Sequence, residues 1–170
     1  NVLFVVMEMQ QQFKGKVPDI VLGNSILHHR AWHVDLQRHT FTPCSPDRYY
    51  GKIRLKCSIG KGLEYGYVFL KAKVGGRTVR MQFSLNKGLH LLPHGVYGLT
   101  REGGSFDRPL SSETVPLYKD VATQIGDFHF VADYRLGYPG EDKEGTLYID
   151  ALEGKSFVLN YPKKVIEILE

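Results

Sequence analysis

"GDFHFVADYRL", residues 126–136, sets Phe128, Phe130, Ala132, Tyr134 and Leu136 on one side of an extended chain and His129, Val131, Asp133 and Arg135 on the other. Successive side chains of a strand alternate between its faces, so this period of two predicts a strand with one hidden, largely aromatic face. The pattern recurs. In "YYGKIRLKCSI", residues 49–59, Ile53, Leu55, Cys57 and Ile59 alternate with Lys52, Arg54 and Lys56. "YGYVFLKAKV" (65–74) and "RTVRMQFSL" (77–85) are two further strands joined by Gly75-Gly76, a two-residue hairpin signal because glycine supplies the positive φ of primed turns. In the second, Val79, Met81, Phe83 and Leu85 share a face.

"HGVYGLT" (94–100) reads as a short strand, and "EGGSFDRPLSSETVPLYKD" (102–120) reads as a loop on its glycines and prolines. After the opening strand come the turn "GYPGEDKEG", the strand "TLYIDAL", the turn Glu153-Gly154 and the strand "SFVLNY". The tail "KKVIEILE" fits a last strand or one helical turn, and "VLFVVMEMQQQF" (2–13) fits a helix or a strand. About eight short strands at close spacing predict an all-β fold, an antiparallel two-layer sandwich of the immunoglobulin-like kind with little helix, spanning residues 1–170 as one domain.

Composition agrees with a packed globular chain. Apolar residues make up 42% and charged residues 24% of 170 residues, enough for a core without metal or disulfide staples. The apolar run Val2 to Met7 is too short to cross a bilayer as a helix. The net charge of +4, with a pI near 9.0, favours an anionic partner. The start at Asn1 fits a processed product or a piece of a longer chain. Two cysteines, Cys44 in "TPCSPD" and Cys57 on the following strand, are too few for a disulfide scaffold. A local bridge and two buried thiols both remain open.

Two polar clusters are candidates for chemistry. "HHRAWHVDLQRH" holds His28, His29, His33 and His39; His29 and His33 share a side at helical spacing, and Asp35 stands near, but Arg30 and Arg38 crowd the segment with positive charge. A surface histidine cluster therefore outweighs a metal centre, and no metal or cofactor is expected. Lys52, Arg54 and Lys56 form a basic stripe, extended by Lys71, Lys73, Arg77 and Arg80 on the hairpin beside it. It suits phosphates or anionic headgroups, against the alternative of a solvated face whose lysines discourage aggregation. No nucleophile elbow, phosphate-binding loop or dinucleotide fingerprint occurs, so no enzyme and no catalytic residue is expected.

The aromatic strand faces remain. "HGVYGLTREGGSFDRPL" followed by "IGDFHFVADYRLGYPGEDKEGTLYIDAL" resembles the C-terminal half of the ML lipid-recognition family, which includes the ganglioside activator, in its order of strand starts, proline-bearing loop and closing hairpin. "PDIVLGN" (18–24) stands roughly where that family has an early proline-glycine turn. The resemblance covers residues 94–152, and the family's several disulfides are missing here. It implies a sandwich whose interior opens to a lipid.

The functional expectation is thus a non-enzymatic protein holding an apolar or lipid ligand between two sheets. Tyr67, Phe69, Phe83, Phe128, Phe130, Tyr134, Leu147 and Ile149 are its candidate walls, and Lys52, Arg54 and Lys56 its anion contacts. The rival is a structural or assembly domain, viral shell or matrix-like, using its basic strand faces. The partners expected are a lipid and an anionic membrane surface, with nucleic acid less favoured and self-association allowed; secretion and a virion are the compartments considered.

Overall fold

The structure is a computed structural model that describes residues 24–94, 102–107, 114–137 and 143–169. The N-terminal stretch 2–13, the "PDIVLGN" turn up to residue 23 and most of "HGVYGLT" lie outside the described residues. The chain runs through a short helix α1 (Asn24–Leu27), β1 (Ala31–Asp35), β2 (Thr40–Cys44), β3 (Ile53–Ile59), a 3-10 turn (Gly62–Glu64), β4 (Val68–Val74), β5 (Arg77–Ser84) and β6 (His90–Leu92). β7 (Glu102–Asp107), β8 (Thr114–Ile125), β9 (Phe128–Leu136), β10 (Gly145–Tyr148), a second 3-10 turn (Ile149–Leu152), β11 (Ser156–Asn160) and β12 (Val165–Ile168) complete it.

The strands pair in the order β2-β1-β11-β12-β3-β4-β5-β10-β6-β9-β8-β7, and β8 also pairs with β4. That last pairing, Lys73 to Gln124 and Val74 to Thr123, closes β4, β5, β10, β6, β9 and β8 into a six-stranded barrel. The remaining strands extend the sheet away from the ring. The expected two-layer antiparallel sandwich is therefore corrected to a closed barrel. Two of its ladders, β5 with β10 and β6 with β9, are parallel. The space between layers in which a ligand was to lie goes with the sandwich, since a ring of this few strands is filled by its own side chains.

Closure depends on β8. Its first half pairs with β7 and its second half with β4, while β9 runs beside it. Between Tyr118 and Val121 its register with β9 shifts, and Asp120 there takes a φ of 52°. A bulge of this kind bends a strand and raises its twist. Much of the segment read as a loop on its prolines and glycines is thus the strand pair β7 and β8, and Pro116 lies outside the β8–β9 ladder, which begins at Leu117.

Elsewhere sequence and structure agree in part. Both Gly75 (φ 55°) and Gly76 (φ 83°) have the left-handed backbone a primed hairpin turn needs, and "KKVIEILE" contains strand β12. "TLYIDAL" is a strand only to Tyr148, after which Ile149–Leu152 turns over. In β9, Phe128, Tyr134 and Leu136 are buried, Phe130 and Ala132 are half-buried, and Val131 is exposed. Met81, Leu92, Tyr134 and Leu147 from the ring share one hydrophobic cluster with Leu55, Phe157, Leu159 and Ile166 from the extension. The Phe83 and Phe157 rings meet edge to face across that join, 6.0 Å between centroids. Each such side chain contributes about 1.5–3 kcal/mol by leaving water.

Candidate functional site

A cleft of about 340 Å³ opens where β4 begins and β5 ends. Gly66, Tyr67 and Val68 form one wall, Gln82 to Asn86 the second, and Leu159 and Tyr161 from the end of β11 the third, with Leu27 of α1 at the side. Three local features shape it. Gly66 turns the chain into β4 with a φ of 79°. The Ser84 hydroxyl accepts the Asn86 N–H at 3.2 Å and curls the chain off the end of β5. The Asn86 carbonyl then accepts the N–H of Ile149 at 3.2 Å, tying the cleft wall to the barrel.

The lining is amphipathic and uncharged. Phe83, Leu159 and Val68 are buried, Tyr67 is exposed, and Gln82, Ser84 and Asn86 bring amide and hydroxyl groups. Burial, with Cys57 close by, pushes the Tyr161 hydroxyl up to about 12, so it remains a neutral donor through the physiological range. At the rim, Tyr65 Oη and His28 Nε2 lie 2.7 Å apart on the residues adjoining Gly66 and Leu27.

Of the expected wall residues, Tyr67 and Phe83 reach this cleft. Phe128, Tyr134, Leu147 and Ile149 are buried within the hydrophobic cluster, with Phe130 packed against it. Tyr134 Oη bonds Thr123 Oγ1 at 2.8 Å, and burial raises this hydroxyl to about 12. Phe69 is a correction: the register sets it opposite Gln82 while Val68 faces Phe83. Phe69 thus lies on the outer side of the sheet, beneath the Arg80 guanidinium at 3.6 Å from its ring centroid. Gln82, Ser84 and Asn86 were missed because polar residues alternating with apolar ones read as a solvated face. The available signal was their position at a strand end, just before Gly88.

The basic stripe is divided as well. Arg54 pairs with the buried Glu167, Lys52 lies in the bend before β3, and Lys56 joins Lys71, Thr78 and Arg80 in a groove of about 390 Å³ on the outer face. The histidines separate: His33 stacks on Tyr49, His28 packs against His29, and His39 occupies a turn with a φ of 53°. Among the described residues no group of three or more His, Cys, Asp or Glu side chains is placed to hold a metal ion. Both cysteines are free thiols, and burial pushes Cys57 up to about 12 and Cys44 upward, which makes poor nucleophiles of both.

No family model matches the chain, that of the ML family included, and no curated protein does. Among solved structures the chain is similar to a retropepsin-like aspartic protease from Rickettsia conorii, at 14% identity and a TM-score of 0.47, over 68% of this chain and 88% of that one. The expectation of an immunoglobulin-like sandwich is corrected on the closed barrel, and the expectation of a non-enzyme is not carried forward.

Proposed function

We propose, from this chain's own residues, that the cleft at the end of β5 binds a short uncharged segment carrying amide groups and one bulky apolar side chain, for which polypeptide is the simplest chemical class. The observation that supports this reading is the character of the lining: no charged side chain, an apolar floor of Phe83 and Leu159, and neutral donors and acceptors on Gln82, Ser84, Asn86 and Tyr161. Pockets of this size with few convergent polar groups are ordinary binding sites.

The magnitudes set the affinity. Burying one Leu or Phe side chain contributes about 1.5–3 kcal/mol, and two or three hydrogen bonds add about 0.5–1.5 kcal/mol each. The loss of free motion opposes association by at least about 4 kcal/mol. The surplus is at most about 3.5 kcal/mol, so a tripeptide binds with a dissociation constant of several millimolar or weaker, tightening with length.

Titrating the 15N-labelled protein with N-acetyl-Ala-Phe-Ala amide tests this. Saturable amide shifts are expected at Tyr67, Gln82 and Asn86, and a Tyr67→Ala, Gln82→Ala variant is expected to weaken binding about fivefold or more without loss of fold. Shifts that scatter over the surface, or a double variant that binds like the parent, would remove the proposal. Mass spectrometry of the same peptide after incubation reports separately whether the bound chain is cut.

A further inference from the structure

A second feature lies further along the same two strands, on their outer face. The β4–β5 register places Lys71 directly across from Arg80. The β3–β4 ladder ends with Cys57 opposite Leu70, and Lys56, the next residue along β3, lines the same groove as Lys71. Three cations therefore line one groove on neighbouring strands, which run about 4.8 Å apart. Like charges set opposite one another destabilise a sheet.

Only one of the three is neutralised. Arg80 pairs with both Glu64 and Glu144 and lies flat on Phe69. Among the described residues no carboxylate pairs with Lys56 or Lys71, or with Lys73 one step further along β4. The groove they line has buried Phe69 and Leu70 beneath it and the Thr78 hydroxyl beside it. Beyond Lys71 and Thr78 it continues into a hollow of about 200 Å³ lined by Lys73 and Gln124.

We infer that this groove is a binding site for a small anion carrying two or more adjacent phosphoryl groups. Each phosphoryl offers three strong acceptor oxygens, and the groove offers ammonium, hydroxyl and amide donors in sequence. Its low-polarity floor strengthens the attraction, while Arg80, already held, forms a fixed wall. The exposed large apolar side chains, Phe41, Tyr50, Tyr65, Tyr67 and Val131, are all outside the groove. The groove's one aromatic ring, Phe69, is buried beneath Arg80 and offers bases no open face, and among the described residues no exposed apolar side chain there anchors a membrane, which favours a compact anion over either. The groove shares no lining side chain with the wall that Leu159 and Tyr161 give the peptide cleft, and its occupancy does not depend on that cleft.

Inorganic tripolyphosphate is the probe. In calorimetric titration at low ionic strength, Lys71→Gln and Lys56→Gln are each expected to weaken binding about tenfold, a single charge-assisted contact, while Lys155→Gln leaves it unchanged. Lys71→Gln is also expected to match or exceed the parent in ligand-free stability, because it relieves the like charge set across from Arg80. Binding by Lys71→Gln equal to the parent, or amide shifts centred away from residues 56–58 and 71–73, overturns the assignment. So does tight, Lys71-dependent binding of a single-stranded oligonucleotide or of phosphatidylserine vesicles with none of tripolyphosphate, which would make the face a polyanion surface instead.

Discussion

Glu167 on β12 stands directly across from Arg54 on β3, and its carboxylate is fully buried while the guanidinium 3.6 Å away is half open to water. Glu167 Oε2 accepts the Gly51 N–H at 3.0 Å, whereas Oε1 has no hydrogen-bond partner. The segment before Gly51 is laid over these strands. Asn160 Nδ2 donates to the Pro46 carbonyl at 2.9 Å, Lys163 pairs with Asp47 at 2.7 Å, and a Cβ on Gly51 would come within 2.5 Å of the Ile168 carbonyl oxygen.

That geometry makes the pair asymmetric. Arg54→Met leaves a buried carboxylate with no counter-charge and is expected to cost about 1–3 kcal/mol, less than a fully buried pair because the arginine is half exposed. Glu167→Gln keeps the acceptor for Gly51 and is expected to cost under about 1 kcal/mol. The double variant should resemble Glu167→Gln alone. Urea unfolding of the three variants decides; an Arg54→Met no less stable than Glu167→Gln would show that the ion pair does not hold the overlying segment.

His90 gives a pH dependence. It is buried in β6, accepts the Tyr148 N–H on Nδ1 at 3.2 Å and lies between the Tyr134 and Tyr148 rings. Desolvation lowers its pKa below 6.5, against the opposing pull of Asp150 and Asp133. Below pH 6.5 the unfolded chain therefore binds more protons than the folded one, and stability falls as pH falls from there through the lowered folded value. The contribution is fully present above the unfolded value. In His90→Gln this part of the acid slope should be gone, measured as unfolding free energy against pH; an unchanged slope would assign it to other groups.

The bend in β8 makes a third prediction. Asp120 takes a φ of 52°, and its N–H is accepted by Asp133 Oδ1 at 3.0 Å. Asp120→Gly should be neutral or stabilising by a few tenths of a kcal/mol, since glycine adopts that backbone freely. Asp120→Val should cost about 1–3 kcal/mol, and Asp133→Ala about 1 kcal/mol for the lost bond. Thermal melts that rank Val at or above Gly would mean that the bulge is not under this constraint.

The sequence carried the strands better than their closure. Alternation in 53–59, 77–85 and 126–136 is a local consequence of one hidden face, and Gly75-Gly76 is a local consequence of turn geometry, so all four were legible. Whether the hidden face meets a second sheet or curls onto itself depends on Lys73 meeting Gln124, about fifty residues on, and on β5 meeting β10 in parallel, more than sixty residues on. Period two is common to both outcomes. Phe69 illustrates the same limit locally: in Val68-Phe69-Leu70 an unbroken apolar run gives no phase, and a cationic cap on the outer face buries what alternation would expose. For the cleft, Tyr67 and Phe83 were read as large side chains to be hidden, which holds for Phe83 while Tyr67 stays exposed at the cleft wall, and Gln82, Ser84 and Asn86 become a site only because β11 arrives beside them.

Gly145 shows what a turn-like glycine conceals. In "GEDKEG" it reads as the end of a turn, yet it opens β10 between β5 and β6, paired with Met81. A Cβ there would overlap the Leu91 carbonyl oxygen and approach Met81 Sδ to 2.6 Å. The methionine can move; the carbonyl belongs to the neighbouring strand β6 of the closed ring and cannot retreat without opening it. Gly145→Ala is therefore expected to cost about 2–4 kcal/mol, the range of overpacking in a rigid interior. Gly154→Ala, whose Cβ meets nothing within 4 Å and which has only its φ of 73° to strain it, should cost about 1 kcal/mol. Urea midpoints in the opposite order would mean that β10 does not pass between β5 and β6 as closely as a closed six-stranded ring requires.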